Sequence, residues 1–102
     1  MSKPQKLILN WNIRAGAESE YFEFMVTEFI PAIRQLGIVD PQVWYTAYGE
    51  CEQILVSGIT ETSEQMGYIL DSQEWRQLRS RLDELVDDLE QRVVRATGGF
   101  QI

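Results

Sequence analysis

A chain of 102 residues, 44% of them hydrophobic, suits one domain spanning residues 1–102 around one core. Its formal net charge of −7 repels nucleic-acid phosphates and anionic lipid head groups, and no basic cluster offsets it, so no nucleic acid is expected as a partner. Histidine is absent, which removes the commonest general base, the usual haem ligand and the commonest transition-metal ligand; no metal site and no cofactor are expected.

The first residues, Met1-Ser2-Lys3-Pro4-Gln5-Lys6, lead into an apolar run of only three, Leu7 to Leu9. That is too short for a signal-peptide core, and nowhere does the chain offer the ~18 apolar residues of a membrane span. The single cysteine, Cys51, cannot close an intrachain disulfide. A cytoplasmic protein with no membrane partner is expected.

Lys6 to Arg14 reads as a first strand. Leu7, Leu9, Trp11 and Ile13 alternate with Ile8, Asn10, Asn12 and Arg14, a period of two. Ala15-Gly16 breaks it. From Ala17 to Leu36 the period becomes helical, with Phe22, Met25, Val26, Phe29, Ile33 and Leu36 at three- and four-residue steps. Glu18 and Glu20 complement the helix dipole at its start, and Gly37 is a natural left-handed stop. Pro31 lacks the N–H that the Thr27 carbonyl would accept, which predicts a kink.

Gln42 to Tyr48 and Gln53 to Thr60 are β-prone runs joined by Gly49-Glu50-Cys51-Glu52, the pattern of a hairpin. Thr62 with Gln65 has capping-box spacing and starts a short helix through Leu70. Asp71-Ser72 with Glu74 repeats the signature and starts a longer one. Its stripe of Trp75, Leu78, Leu82, Leu85, Leu89 and Val93 predicts about six turns of helix, ended by Gly98-Gly99. Phe100-Gln101-Ile102 then supplies a last strand.

The order is βαββαβ, an α+β arrangement in which one antiparallel sheet carries both helices on one face. The other face would meet water in a monomer; two copies stacked sheet on sheet would bury it, so a homodimer through the sheet faces is expected.

Ile13-Arg14-Ala15-Gly16, the run from Phe22 to Pro31, Leu36-Gly37-Ile38, Trp44 and Ser72-Gln73-Glu74-Trp75 together resemble the dimeric α/β-barrel superfamily, and within it the NIPSNAP-like and stress-response barrel branches. The resemblance covers nearly the whole chain and implies a ferredoxin-like fold paired into a barrel. The same superfamily holds cofactor-free monooxygenases of polycyclic aromatics and haem-degrading enzymes. The latter rely on a histidine ligand that this chain lacks.

The candidate ligand-binding residues are Asn10, Asn12, Arg14, Trp44 and Tyr48. Asn10, Asn12 and Arg14 share one side of the first strand, where two amides and a guanidinium could orient a small molecule between the flat walls of Trp44 and Tyr48. Alternatively, these polar groups bond one another or the backbone and fix strand register. Trp11, Phe22, Met25, Phe29 and Trp75 could line a cavity between sheet and helices, although stripes at such spacings are usually core.

Glu50 and Glu52 disfavour a thiolate at Cys51. The acids from Asp83 to Glu90 read as a solvated helix face with an Asp88–Arg92 ion pair. No Gly-rich phosphate loop and no Ser or Cys paired with a base occurs. The expected function is a non-catalytic homodimer that binds a small apolar or aromatic molecule or has a structural or stress-related role. The alternative is a cofactor-independent monooxygenase or isomerase of an aromatic, polyketide-like substrate, with Asn10, Asn12 or Arg14 stabilising an enolate or peroxide oxygen.

Overall fold

The computed structural model describes residues 3–48 and 51–96. The side chains of residues 47, 48, 51 and 52 lie outside that description, as do Gly49-Glu50, Gly98-Gly99 and the Phe100–Ile102 strand expected from the sequence.

Strand β1 (Gln5–Ile13) is followed by helix α1 (Glu18–Phe24), a widened turn (Met25–Phe29) and helix α2 (Ile30–Leu36). Then come β2 (Val39–Tyr48), β3 (Cys51–Thr60), α3 (Ser63–Asp71), α4 (Gln73–Asp83) and β4 (Val86–Arg95). The four strands form one antiparallel sheet in the order β2-β3-β1-β4. The α+β, ferredoxin-like expectation therefore holds. No helix among the described residues is long and apolar enough to cross a membrane.

Leu7, Leu9, Trp11 and Ile13 of β1 and Ile54 and Val56 of β3 face the helices. They pack against Tyr21, Phe24, Met25, Phe29, Ile33, Met66, Ile69, Trp75 and Leu82. Trp11 meets Tyr21 and Phe29 edge to face, with ring centroids 6.3 and 6.1 Å apart.

The kink expected at Pro31 takes the form of the π-type turn just before it: the Ile30 N–H reaches back five residues to the Met25 carbonyl. The stripe of the helix is corrected as well. Tyr21 and Phe24 point inward, while Phe22 is 50% and Val26 73% exposed. Gly37, at φ +111°, closes α2; its N–H donates to the Arg34 carbonyl and the Ile38 N–H to that of Ile33.

Both caps read from the sequence form. The Gln65 N–H donates to the Thr62 hydroxyl at 3.1 Å and the Trp75 N–H to the Ser72 hydroxyl at 3.2 Å. The side chain of Gln65 accepts from the Glu61 N–H and donates to the Gly37 carbonyl, tying α3 to the end of α2.

The long last helix does not form: α4 stops at Asp83, and residues 86–95 pair with β1 as β4. The Asp88–Arg92 helical pair goes with it. The spacing also suits a strand: Leu89 and Val93, four apart, lie on the helices' side of β4. Between Asn12 and Asn10, β4 advances from Asp87 to Glu90, one residue more than β1, with Asp88 at φ +57°. The extra residue, a bulge, lets Val86 and Leu89, three positions apart, both point inward.

Candidate functional site

On the helix-free face, strand pairing aligns side chains in rows. Glu90, Asn10, Leu55 and Trp44 form one row across four strands; Asn12 and Gln53 lie in the next. Arg92, Ile8, Ser57 and Gln42 form a third. Ile8 and Ser57 are buried in the middle of this face, whereas Trp44 is 36% exposed at one flank and Val94 is exposed at the other.

The bulge opens a cleft of about 400 Å³ beside Trp11, lined by Asn10, Asn12, Gln53, Asp88, Leu89 and Glu90. The amide of Asn12 donates to Asp88 Oδ2 at 3.2 Å across the junction of β1 and β4. Asp88 can hold its left-handed backbone because a short polar side chain tolerates it better than most. Of the residues singled out from the sequence, Asn10 and Asn12 are brought together here. Trp44 shares Asn10's row two strands away, about 10 Å at the usual strand spacing. Tyr48 pairs with Cys51 through its backbone, and its side chain lies outside the described residues.

Arg14 is placed elsewhere. It follows the end of β1, and its guanidinium grips the corner between α4 and β4. Nε donates to Asp87 Oδ1 at 3.0 Å, Nη1 to the Glu84 carbonyl at 2.8 Å, and Nη2 to the carbonyls of Val86 at 3.0 Å and Asp83 at 3.4 Å. A cation set against the last carbonyls of a helix is the arrangement the helix dipole favours.

Between sheet and helices, Trp11 Nε1 donates to the Tyr21 hydroxyl at 3.0 Å. Burial pushes the Tyr21 phenol up to about 12 despite this bond, which acts in the opposite direction. Trp11, Met25, Phe29 and Trp75 belong to the packed core, and Phe22 does not. Among the described residues, no buried side-chain nitrogen or oxygen lacks a hydrogen bond.

Sequence reasoning missed Asp88, Glu90 and Gln53 as neighbours of the two asparagines. Asp87-Asp88, a pair of residues that favour turns and tolerate positive φ, was the available signal for the bulge.

Known structures with this fold span nearly the whole chain. A NIPSNAP family protein from Agrobacterium tumefaciens matches with a TM-score of 0.67 at 20% identity, over 99% of this chain and 91% of its own. SnoaB, a cofactor-independent oxygenase from Streptomyces nogalater, matches with a TM-score of 0.74 at 12% identity, over 97% of this chain and 98% of its own. Rv0793 from Mycobacterium tuberculosis gives 0.73 at 14% identity, over 97% and 100%. No family model matches the sequence, and no curated protein does. The chain has a ferredoxin-like fold, similar to that of a NIPSNAP family protein and of antibiotic-biosynthesis monooxygenase-like proteins.

Proposed function

We propose that the protein is a cytoplasmic homodimer whose helix-free sheet faces close on a chamber that binds a small molecule without turning it over. The observation that carries this reading is the makeup of that face. Trp44 and Val94 stand open to solvent on a surface that also holds Leu55, Ile59 and the amide-lined cleft. Apolar surface beside converging polar groups is the composition of a binding chamber once a second layer covers it.

Binding without turnover is favoured by how the reactive groups are engaged. The Arg14 guanidinium is committed to the α4–β4 corner. The Tyr21 phenol, held by Trp11 and titrating near 12, is a poor proton carrier at neutral pH. Native mass spectrometry and sedimentation of the freshly purified chain test the proposal. A dimer at micromolar concentration, with retained small molecules released on denaturation, is expected. A stable, well-folded monomer would refute it.

A second reading draws on the likeness to SnoaB: oxygenation of an aromatic substrate that supplies its own reactivity. Shared fold is thin warrant for shared chemistry. Oxygen uptake with anthrones and hydroxyquinones, lost in Asn10→Ala, would favour it over simple binding.

A further inference from the structure

We infer that the ligand of the β1–β4 cleft is an organic cation, an amine or guanidine bearing an apolar or aromatic body, with Asp88 as the carboxylate that selects it. This rests on the small-molecule-binding reading above and adds the ligand's charge. The polar lining consists of three amides, Asn10, Asn12 and Gln53, and two carboxylates, Asp88 and Glu90; no lysine or arginine lines the cleft.

The acids of this region are not alike. Asp87 is neutralised by Arg14 at 3.0 Å. Asp88 accepts from the neutral amide of Asn12, and among the described residues neither Asp88 nor Glu90 has a cationic partner. Arg92 is one row further along, opposite Ile8, and forms no ion pair with Glu90. An anion entering here would meet two uncompensated carboxylates, a repulsion that grows as a second layer excludes water. An ammonium group would be attracted by both and can donate to the amide carbonyls.

The row starting at Glu90 gives the rest of the molecule its place. From the charged end it runs over Asn10 and Leu55 to Trp44. A cationic head and an aryl or alkyl body match that order: acid, amide, aliphatic side chain, indole.

Three probes of one shape separate the possibilities at neutral pH: phenethylammonium, 2-phenylethanol and phenylacetate, added to the full chain labelled with nitrogen-15. Phenethylammonium should shift the side-chain amides of Asn10, Asn12 and Gln53 and bind about fivefold or more tightly than the alcohol. Asp88→Asn, which tolerates the same backbone conformation, should remove most of the ammonium's advantage over the alcohol. Glu90→Gln, outside the bulge, should weaken ammonium binding about twofold or more.

Alcohol or phenylacetate binding as tightly as the ammonium, or a preference that survives in both variants, overturns the inference and leaves small-molecule binding standing. If none of the three probes shifts the cleft amides of a dimer intact by sedimentation, the cation and the binding reading fall together.

Discussion

Trp11 and Tyr21 are joined by a hydrogen bond of 3.0 Å inside the core, the indole donating to the phenol, so that the first strand and the first helix share one buried polar contact. Removing the acceptor leaves an indole N–H with no water to replace it. Tyr21→Phe should therefore cost about 1–3 kcal/mol in urea or guanidinium unfolding.

The same pair makes a pH prediction. Tyr21 titrates near 12 in the folded chain and near 10 when unfolded, so between those values the unfolded state has lost a proton that the native state keeps. The stabilisation is complete below pH 10 and falls as pH rises toward 12. Denaturation curves across that window should steepen in pH dependence for the parent relative to Tyr21→Phe. Parallel curves would contradict the burial of the phenol.

Arg14→Ala removes four donor contacts from the α4–β4 corner. The exposed ion pair with Asp87 contributes little, but the carbonyl caps should make the loss about 1–2 kcal/mol. Arg14→Lys keeps the charge and loses the fork, and should recover only part. Hydrogen exchange of the amides from 84 to 88 should quicken in both variants; unchanged protection would show that the corner holds without the clamp.

A side chain at Gly58 would collide with Ile38, where the end of α2 crosses β3. Gly58→Ala should destabilise by about 1–3 kcal/mol. Adding Ile38→Ala should cost less than the sum of the two single changes, because the truncated neighbour makes room. Strict additivity would mean the two positions do not touch.

Trp44→Ala removes the largest exposed aromatic of the helix-free face while leaving the core of the chain untouched. If the proposed dimer forms through that face, its dissociation constant should rise about tenfold or more in sedimentation equilibrium, with little change in monomer unfolding.

The fold was legible wherever side-chain period and local caps agreed. Alternation along Leu7 to Ile13 gave both the strand and its two faces, and Thr62 and Ser72 marked helix starts that the structure confirms. The last third was misread because Leu85, Leu89 and Val93 suit a helix as well as a bulged strand. Only the unfilled edge of β1, a tertiary fact, decides between them. In the first helix the widened turn rotated the inward stripe, replacing Phe22 and Val26 by Tyr21 and Phe24. Of the five polar residues lining the cleft, two, Asn10 and Asn12, were visible. Its acids were not, because a helix at Asp88 would have turned them toward solvent. Arg14 had the right neighbours in sequence, but the strand ended one residue before it.

The additional residue at Asp88 also makes the chain sensitive to parity. Past that point, Gln91 and Val93 share the helices' side only because one position was skipped before them. Excising Asp88 alone would remove the bulge and restore plain alternation, with every later partner along β1 kept. Excising a second residue would turn the rest of β4 over, sending Arg92 toward the helices and Val93 to the open side. The corner gripped by Arg14 thus fixes the phase of the closing strand: one residue fewer between Val86 and Glu90 should cost only the bulge, and two should cost its facing.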